Sequence, residues 1–370
     1  MPRDRIVVMS DLVPGAVEFD ATHLVPTIRM PMAFHETGTV SRRGLSNYVA
    51  IARRVRDECV RHNIEYLWCG RCVPEGWIGW MVNQLAGIPY FVSAHGEEVT
   101  IPESGSTSGV MTSRQHRWMA RRVFANAAGV IANSENTRHI IRNSWNVPDE
   151  RIHRVTPGVE TDVFVPAPAC ETTRATLGWV NRTVLLTVGR LQKRKGHDLM
   201  IEALNRVRER IPNVLYAIIG DGPERERLTE LVGKHKLNNH VRFYGECDFA
   251  SLVRAYQQSD VFVLPNRQIG AEIEGFGMVL LEAQSCGKPV IAGASGGTSE
   301  TMGVFKTGFI VECTNLTALA DATMMLLSDE SLRQKMGLAA REWVIRNFEW
   351  SSRVNQVNGL VSDFHDKSVP

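Results

Sequence analysis

Long apolar runs are missing from this sequence. No window approaches the roughly eighteen uninterrupted apolar residues of a membrane span, and the opening MPRDRIVVMSD carries no apolar stretch of signal-peptide length. Any contact with a membrane is therefore expected to be peripheral. Cysteine is sparse and odd in number, seven in 370 residues, which argues against a disulfide scaffold and for a reducing compartment, the cytoplasm. Lysine is absent before Lys193, so apart from histidine every basic residue of the first half is arginine. An arginine fork binds a phosphate with two hydrogen bonds where lysine offers a point charge. A strong excess of either charge is also lacking: the formal net charge is +2, which gives no reason to expect nucleic acid as a partner.

What is present is an ordinary soluble composition, 44% hydrophobic and 22% charged, in a chain longer than one typical domain. Short β-branched runs alternate with amphipathic stretches: IVVM, NYVAIARRVRDECVRH, IEYLWC, GWIGWMVNQLAG and PYFVSAH in the first half, then TVLLTVG, HDLMIEALNRVRERI, VLYAIIG, ERERLTELVGKH, VRFYG, FASLVRAYQQS, VFVLP and PVIAG. This alternation predicts βαβ units and parallel sheets, an α/β fold. Pro157, Gly158, Pro166 and Pro168 interrupt it and mark a non-helical connector before a strand near Val184. Residues 1–165 and 166–347 are therefore expected to form two Rossmann-like domains of similar build.

In open α/β sheets ligands bind beyond the carboxyl ends of the strands, so the residues that follow each apolar run matter most. After TVLLTVG come Gly189, Arg190 and Lys195, cations before a helix start that suit a diphosphate or form a solvated basic loop. Gly220-Asp-Gly222 begins like a dinucleotide fingerprint, but Arg225 stands where a third small residue belongs; it is a ligand-approach loop or a tight structural turn. After DVFVLP, Glu274-Gly-Phe276-Gly277-Met278 is expected to start a helix that carries Glu282. Its free N–H groups suit an anion or sugar hydroxyls, and the two carboxylates can grip separate parts of one long ligand; a capping residue and an exposed helix glutamate are the plainer alternative. PYFVSA ends in His95, placed to donate to a substrate or to serve structure alone. Cys69-Gly-Arg-Cys72 has the spacing of a thiol redox pair, but a single pair cannot complete a four-ligand zinc site.

The motifs converge. EGFGMVLLE (Glu274 to Glu282) resembles the Glu-x7-Glu motif of retaining GT-B glycosyltransferases of family four. GRLQKRKG, GDGPERERL, VRFYGE, SDVFVLP, LEAQSCGKPVIAGASGGTSE and NFEWSSR follow in family order, so the resemblance covers nearly all of the chain from about His95 onward. LEAQSCGKPVIAGASGGTSET and SAHGEEV look most like phosphatidylinositol mannosyltransferases. The resemblance implies a GT-B fold, two Rossmann-like domains facing a central cleft, with residues 348–370 forming a helix that crosses back to the first domain. It implies that Arg190 and Lys195 hold the donor diphosphate and that Glu282 binds the ribose hydroxyls. Glu274 and the amides around Phe276, Gly277 and Met278 would hold the sugar, with His95 near its reacting face and Gly189, Gly220 and Gly222 in the donor loops. Gly296-Gly297 would be a turn packed beside that site. The implied reaction is retaining transfer of a hexose, mannose from GDP-mannose first and a UDP-sugar next, to a lipid-linked or saccharide acceptor, with no cofactor required. The chain has no Asp-x-Asp pair, so no metal ligands are expected. A sugar-nucleotide epimerase of the same architecture and a Cys69/Cys72 redox protein are the alternatives from other classes.

The family also opens with a strand and a loop of the form Pro-Pro-x-x-Gly-Gly. Here RIVVMSDLVPGAVEFDATHLVPTIRMP looks like the family's second strand region. The first strand and glycine loop are therefore read as missing, with Arg43-Gly44-Leu45 as a degenerate substitute loop. Arg114, Arg117, Trp118, Arg121 and Arg122 share one face of an expected helix, a basic surface with an aromatic in it. It suits peripheral contact with an anionic membrane, at the inner face if the acceptor is a lipid, or is a solvated arginine face. Nothing in the sequence sets an oligomeric state.

Overall fold

Strands buried on both faces need helices on both sides of their sheet, and that is how this chain folds. The structure, a computed structural model, describes residues 6–22, 24–32, 42–102 and 109–368. The first half runs β1 (Val8–Asp11), α1 (Ala16–Thr22), β2 (Thr27–Met30), α2 (Arg42–Arg61), β3 (Leu67–Cys69), α3 (Glu75–Ala86), β4 (Tyr90–Ala94), α4 (Arg114–Asn126), β5 (Gly129–Ala132), α5 (Glu135–Trp145) and β6 (Ile152–Arg154). The second runs α6 (Glu171–Leu177), β7 (Thr183–Val188), α7 (His197–Arg210), β8 (Val214–Ile219), α8 (Arg225–Lys234), β9 (Val241–Gly245), α9 (Phe249–Gln258), β10 (Val261–Leu264), α10 (Met278–Ser285), β11 (Val290–Gly293), β12 (Gly308–Val311), α11 (Leu316–Ser328), α12 (Glu330–Phe348) and α13 (Trp350–Ser368).

The second sheet is parallel throughout, in the order β12-β11-β10-β7-β8-β9. Its winding reverses between β7 and β10, so the loops that leave those two strands part and open a crevice. Separate apolar clusters fill the two faces: α7, α8 and α11 cover one, α9, α10 and α12 the other.

Among the described residues the first domain is not one continuous sheet: β3-β4-β5-β6 is parallel, while β1 pairs with β2 alone. A cavity of about 1800 Å³ separates β1 from β3; Met9, Leu67, Phe91 and, from α13, Val354 and Val357 are among its walls. His95 and Met278 lie along the same cavity. The α13 helix reaches the first domain directly: Phe364 packs edge-on against Phe91 and Tyr66, and Arg353 donates to Thr156.

Two expectations are corrected. The connector is not wholly non-helical, since Glu171–Leu177 forms α6: the prolines end at Pro168, and Gly178 in the left-handed region closes the two turns. Arg43-Gly44-Leu45 is no loop but the first turn of α2, whose apolar spacing runs on into these residues.

Candidate functional site

The crevice at the reversal is built from three loops. After β7, Gly189 to Gln192 leads into a single 3₁₀ turn, Lys193–Lys195, and then α7. After β8, Gly220 and Gly222 lie backbone to backbone against that loop: a Cβ on Gly220 would run into the Gly189 carbonyl, and one on Gly222 into that of Leu191. These two glycines thus bring adjacent βα loops together. After β10, residues 265–277 wind back across the crevice to Gly277, which starts α10 at φ 98°.

Charge meets at the centre. Lys195 Nζ donates to Glu274 Oε2 at 2.5 Å and Arg194 Nη1 to the same oxygen at 3.0 Å. Glu274 is buried, so the two cations offset the cost of removing its charge from water. Its Oε1 has no hydrogen-bond partner among the described residues. Arg190 is exposed at the loop's mouth with no ion pair or side-chain hydrogen bond among the described residues. Glu282, one turn inside α10, accepts from Tyr256 Oη at 2.6 Å. Burial pushes its carboxyl above the usual range, and the tyrosine bond pulls part of the way back. The Phe276 ring is in the core against Phe348, so only its backbone can face a ligand, while Met278 is exposed on the cavity side.

The two domains touch through glycine. A Cβ on Gly275 would collide with the His95 carbonyl, and one on Gly96 would press on Gly275 itself. No other residue permits this approach. The Gly296-Gly297 turn packs behind it, and Gly297 N–H donates to the Glu274 carbonyl at 3.0 Å. His95 therefore stands at the crevice edge, its ring exposed and its Nε2 2.7 Å from the Gly70 carbonyl, which makes that nitrogen the donor. Glu98 accepts from the His95 backbone N–H at 3.3 Å; burial raises its carboxyl to about 7, against the opposing pull of His95.

Sequence reasoning passed over the residues that bind the domains together. Glu97 accepts from Arg194 Nη2 at 2.8 Å across the crevice. Glu300 accepts from the backbone N–H groups of Glu135, at 2.8 and 2.9 Å, and Asn136, at 3.2 Å, and from Arg154 at 3.3 Å. A carboxylate of the second domain thus caps a helix of the first. The clue to Glu300 was its place after the Gly296-Gly297 turn; Glu97 and Arg194 had no local clue.

The redox alternative fails here. Cys69 and Cys72 are buried, and burial raises the Cys69 thiol to about 12 and Cys72 likewise upward, whereas a reactive thiol needs the opposite shift. Among the described residues no three His, Cys, Asp or Glu cluster as metal ligands, and no helix is long and apolar enough to cross a membrane. On α4, Arg114, Trp118, Arg121 and Arg122 are exposed, opposite the buried Met119, Ala120, Val123 and Phe124. Arg117 is partly drawn in, donating to the Met111 carbonyl at 2.9 Å; Arg122 lies over the Trp118 ring.

Residues 171–343 match the model of the glycosyl transferases group 1 family, and residues 6–158 that of the glycosyl transferase 4-like domain. The GDP-mannose-dependent alpha-(1-6)-phosphatidylinositol monomannoside mannosyltransferase of Mycolicibacterium smegmatis is 33% identical over 315 residues, 84% of this chain and 80% of that one. Among solved structures, Anabaena HepE in complex with UDP superposes with a TM-score of 0.79 at 19% identity over 98% of this chain and 93% of that one. The sucrose-phosphate synthase of Thermosynechococcus elongatus gives 0.76 at 24% identity, covering 92% and 84%. The likeness to these structures shows the fold, GT-B.

Proposed function

The chain belongs to the group 1 glycosyltransferases, and from that premise we propose that it transfers a hexose from a nucleotide-sugar, GDP-mannose first, to a lipid-linked or saccharide acceptor with retention at the anomeric carbon. The observation that carries the reading is the constellation at the sheet reversal: a buried Glu274 held through one oxygen by Lys195 and Arg194, with its other oxygen free and Arg190 unpaired at the mouth among the described residues. A diphosphate laid along the loop after β7 meets Arg190 and Lys195, whose charges neutralise the departing phosphate. Glu274 Oε1 and the amides at the start of α10 take sugar hydroxyls, and Glu282, oriented by Tyr256, takes the ribose.

In this mechanism the glycosidic C–O bond to the diphosphate breaks as the acceptor hydroxyl attacks from the same face. The leaving phosphate oxygen takes the acceptor's proton, and no protein base is required. His95, on the first domain, faces the reacting side of the sugar. The donor choice rests on the mannosyltransferase relative at 33% identity. The basic, tryptophan-bearing face of α4 is the surface proposed to meet an anionic membrane, where a lipid acceptor would lie.

The test offers the purified chain radiolabelled GDP-mannose or UDP-glucose with vesicles containing phosphatidylinositol monomannoside. Label from GDP-mannose in the lipid, released by an α-mannosidase, supports the reading. Label from UDP-glucose alone replaces the donor, and label released as free altered nucleotide-sugar would make the protein an epimerase.

A further inference from the structure

We propose that Arg194 is a positioning residue that makes the orientation of Glu274 conditional on closure of the two domains; the proposal rests on the glycosyl-transfer reading above. Arg194 lies beside Lys195 but does a different job. Its Nη1 reaches Glu274 Oε2 at 3.0 Å and its Nη2 reaches Glu97 Oε2 at 2.8 Å. One carboxylate belongs to the donor-side domain and the other to the turn that follows His95 in the facing domain. A rigid guanidinium fork can hold two carboxylates at a fixed mutual angle, as a lysine ammonium cannot.

The surroundings allow Arg194 little freedom. Its side chain is 11% exposed, and its carbonyl is pinned by the Arg267 N–H at 2.8 Å. Charge counting gives the coupling. Glu274 with Arg194 and Lys195 carries one surplus positive charge, which Glu97 cancels only when the domains are closed. Glu97 is tied in turn to the glycine contact, because it follows Gly96 directly. Arg194 is therefore the side chain that joins Glu97 of the facing domain to the carboxylate proposed to receive the sugar. With both cations on Oε2, Oε1 points consistently to the ligand; without Arg194, Glu274 can rotate about the remaining Lys195 bond.

Three variants test this, Arg194→Gln, Arg194→Lys and Glu97→Ala, with the double variant Glu97→Ala/Arg194→Gln. In mannosyl transfer from GDP-mannose, R194Q is expected to lower kcat about 30- to 100-fold, the usual scale for a misplaced reacting group, while GDP affinity by calorimetry stays within about threefold. Glu97→Ala, which alters a partly exposed residue of the other domain, should lower kcat by about tenfold, and Arg194→Lys should recover part of the loss. The double variant should be no worse than R194Q, because one interaction is removed twice. Unchanged kcat in R194Q, a fall in GDP affinity as large as the fall in kcat, or multiplying effects in the double variant would overturn the proposal. If the wild type transfers nothing from GDP-mannose, the functional reading fails instead. Small-angle scattering without nucleotide then decides the clamp: R194Q and Glu97→Ala should each enlarge the radius of gyration, and unchanged dimensions would overturn it.

Discussion

Lys195 and Glu274 meet at 2.5 Å, Nζ to Oε2, and so lock the loop after β7 to the loop after β10 at the point where the sheet's winding reverses. The pair is not isolated, because Arg194 shares the same oxygen. Lys195→Ala therefore leaves Glu274 compensated and should hold the melting temperature within about 3 °C, although removing one partner of an isolated buried pair costs about 3–5 kcal/mol. Transfer should fall about 10²- to 10³-fold, the scale for losing one preorganised charge at the leaving group. Calorimetric melting and initial rates on the same preparation check both halves.

Glu300 also joins the domains, at the start of α5. Glu300→Ala removes the acceptor of two first-turn N–H groups of α5, whose Ser134 cap stays, together with the ion pair from Arg154, and should cost about 1–2 kcal/mol. Hydrogen exchange should show it locally, as faster exchange at the amides of Glu135 and Asn136 with the core of β8 unchanged.

The pH dependence of stability has a candidate source in Glu98. Its carboxyl is raised from 4.5 to about 7, chiefly by burial. Between those values the folded chain holds a proton that the unfolded chain has lost, so this contribution is complete below pH 4.5 and is lost as pH rises through about 7. Glu98→Gln removes the dependence. The variant and the wild type should match at acid pH, and the variant should be more stable above neutrality by up to roughly 3 kcal/mol. Urea unfolding from pH 4 to 8 measures it.

Tyr256 is the sole protein hydrogen-bond donor to the Glu282 carboxylate among the described residues. Tyr256→Phe keeps the ring packed against Phe164 and Phe262 but frees the carboxylate to turn. GDP affinity should weaken about 3- to 10-fold, on the scale of about 1 kcal/mol for one hydrogen bond, while stability changes little. Equal affinities in titrations of the two proteins would remove Glu282 from the ribose site.

Local signals carried the fold well: β-branched runs of strand length and amphipathic stretches were legible because buried parallel strands and their covering helices differ in period. The layout of the second-domain loops was legible too: Arg190 and Lys195 follow β7, and Glu274 lies in the segment between β10 and α10, the helix that carries Glu282. The contacts between domains were not. Glu97 and Arg194 lie 97 positions apart, and the nearest partner of Glu300, Arg154, is 146 positions away; no periodicity records such pairs. α6 was missed because the prolines before it dominate the local pattern. The Cys69/Cys72 spacing misled for the opposite reason: it reports proximity in sequence and nothing about the burial that silences both thiols.

The central claim is a nucleotide-sugar site at the β7/β10 reversal, and calorimetric titration with GDP, UDP and ADP tests it most directly, on the wild type and on Arg190→Ala. GDP should bind in preference to the other two, with the variant at least about tenfold weaker, as for the loss of a charge-assisted hydrogen bond. A wild type that binds none of the three, or an Arg190→Ala variant that binds GDP as well as the wild type, would contradict the account.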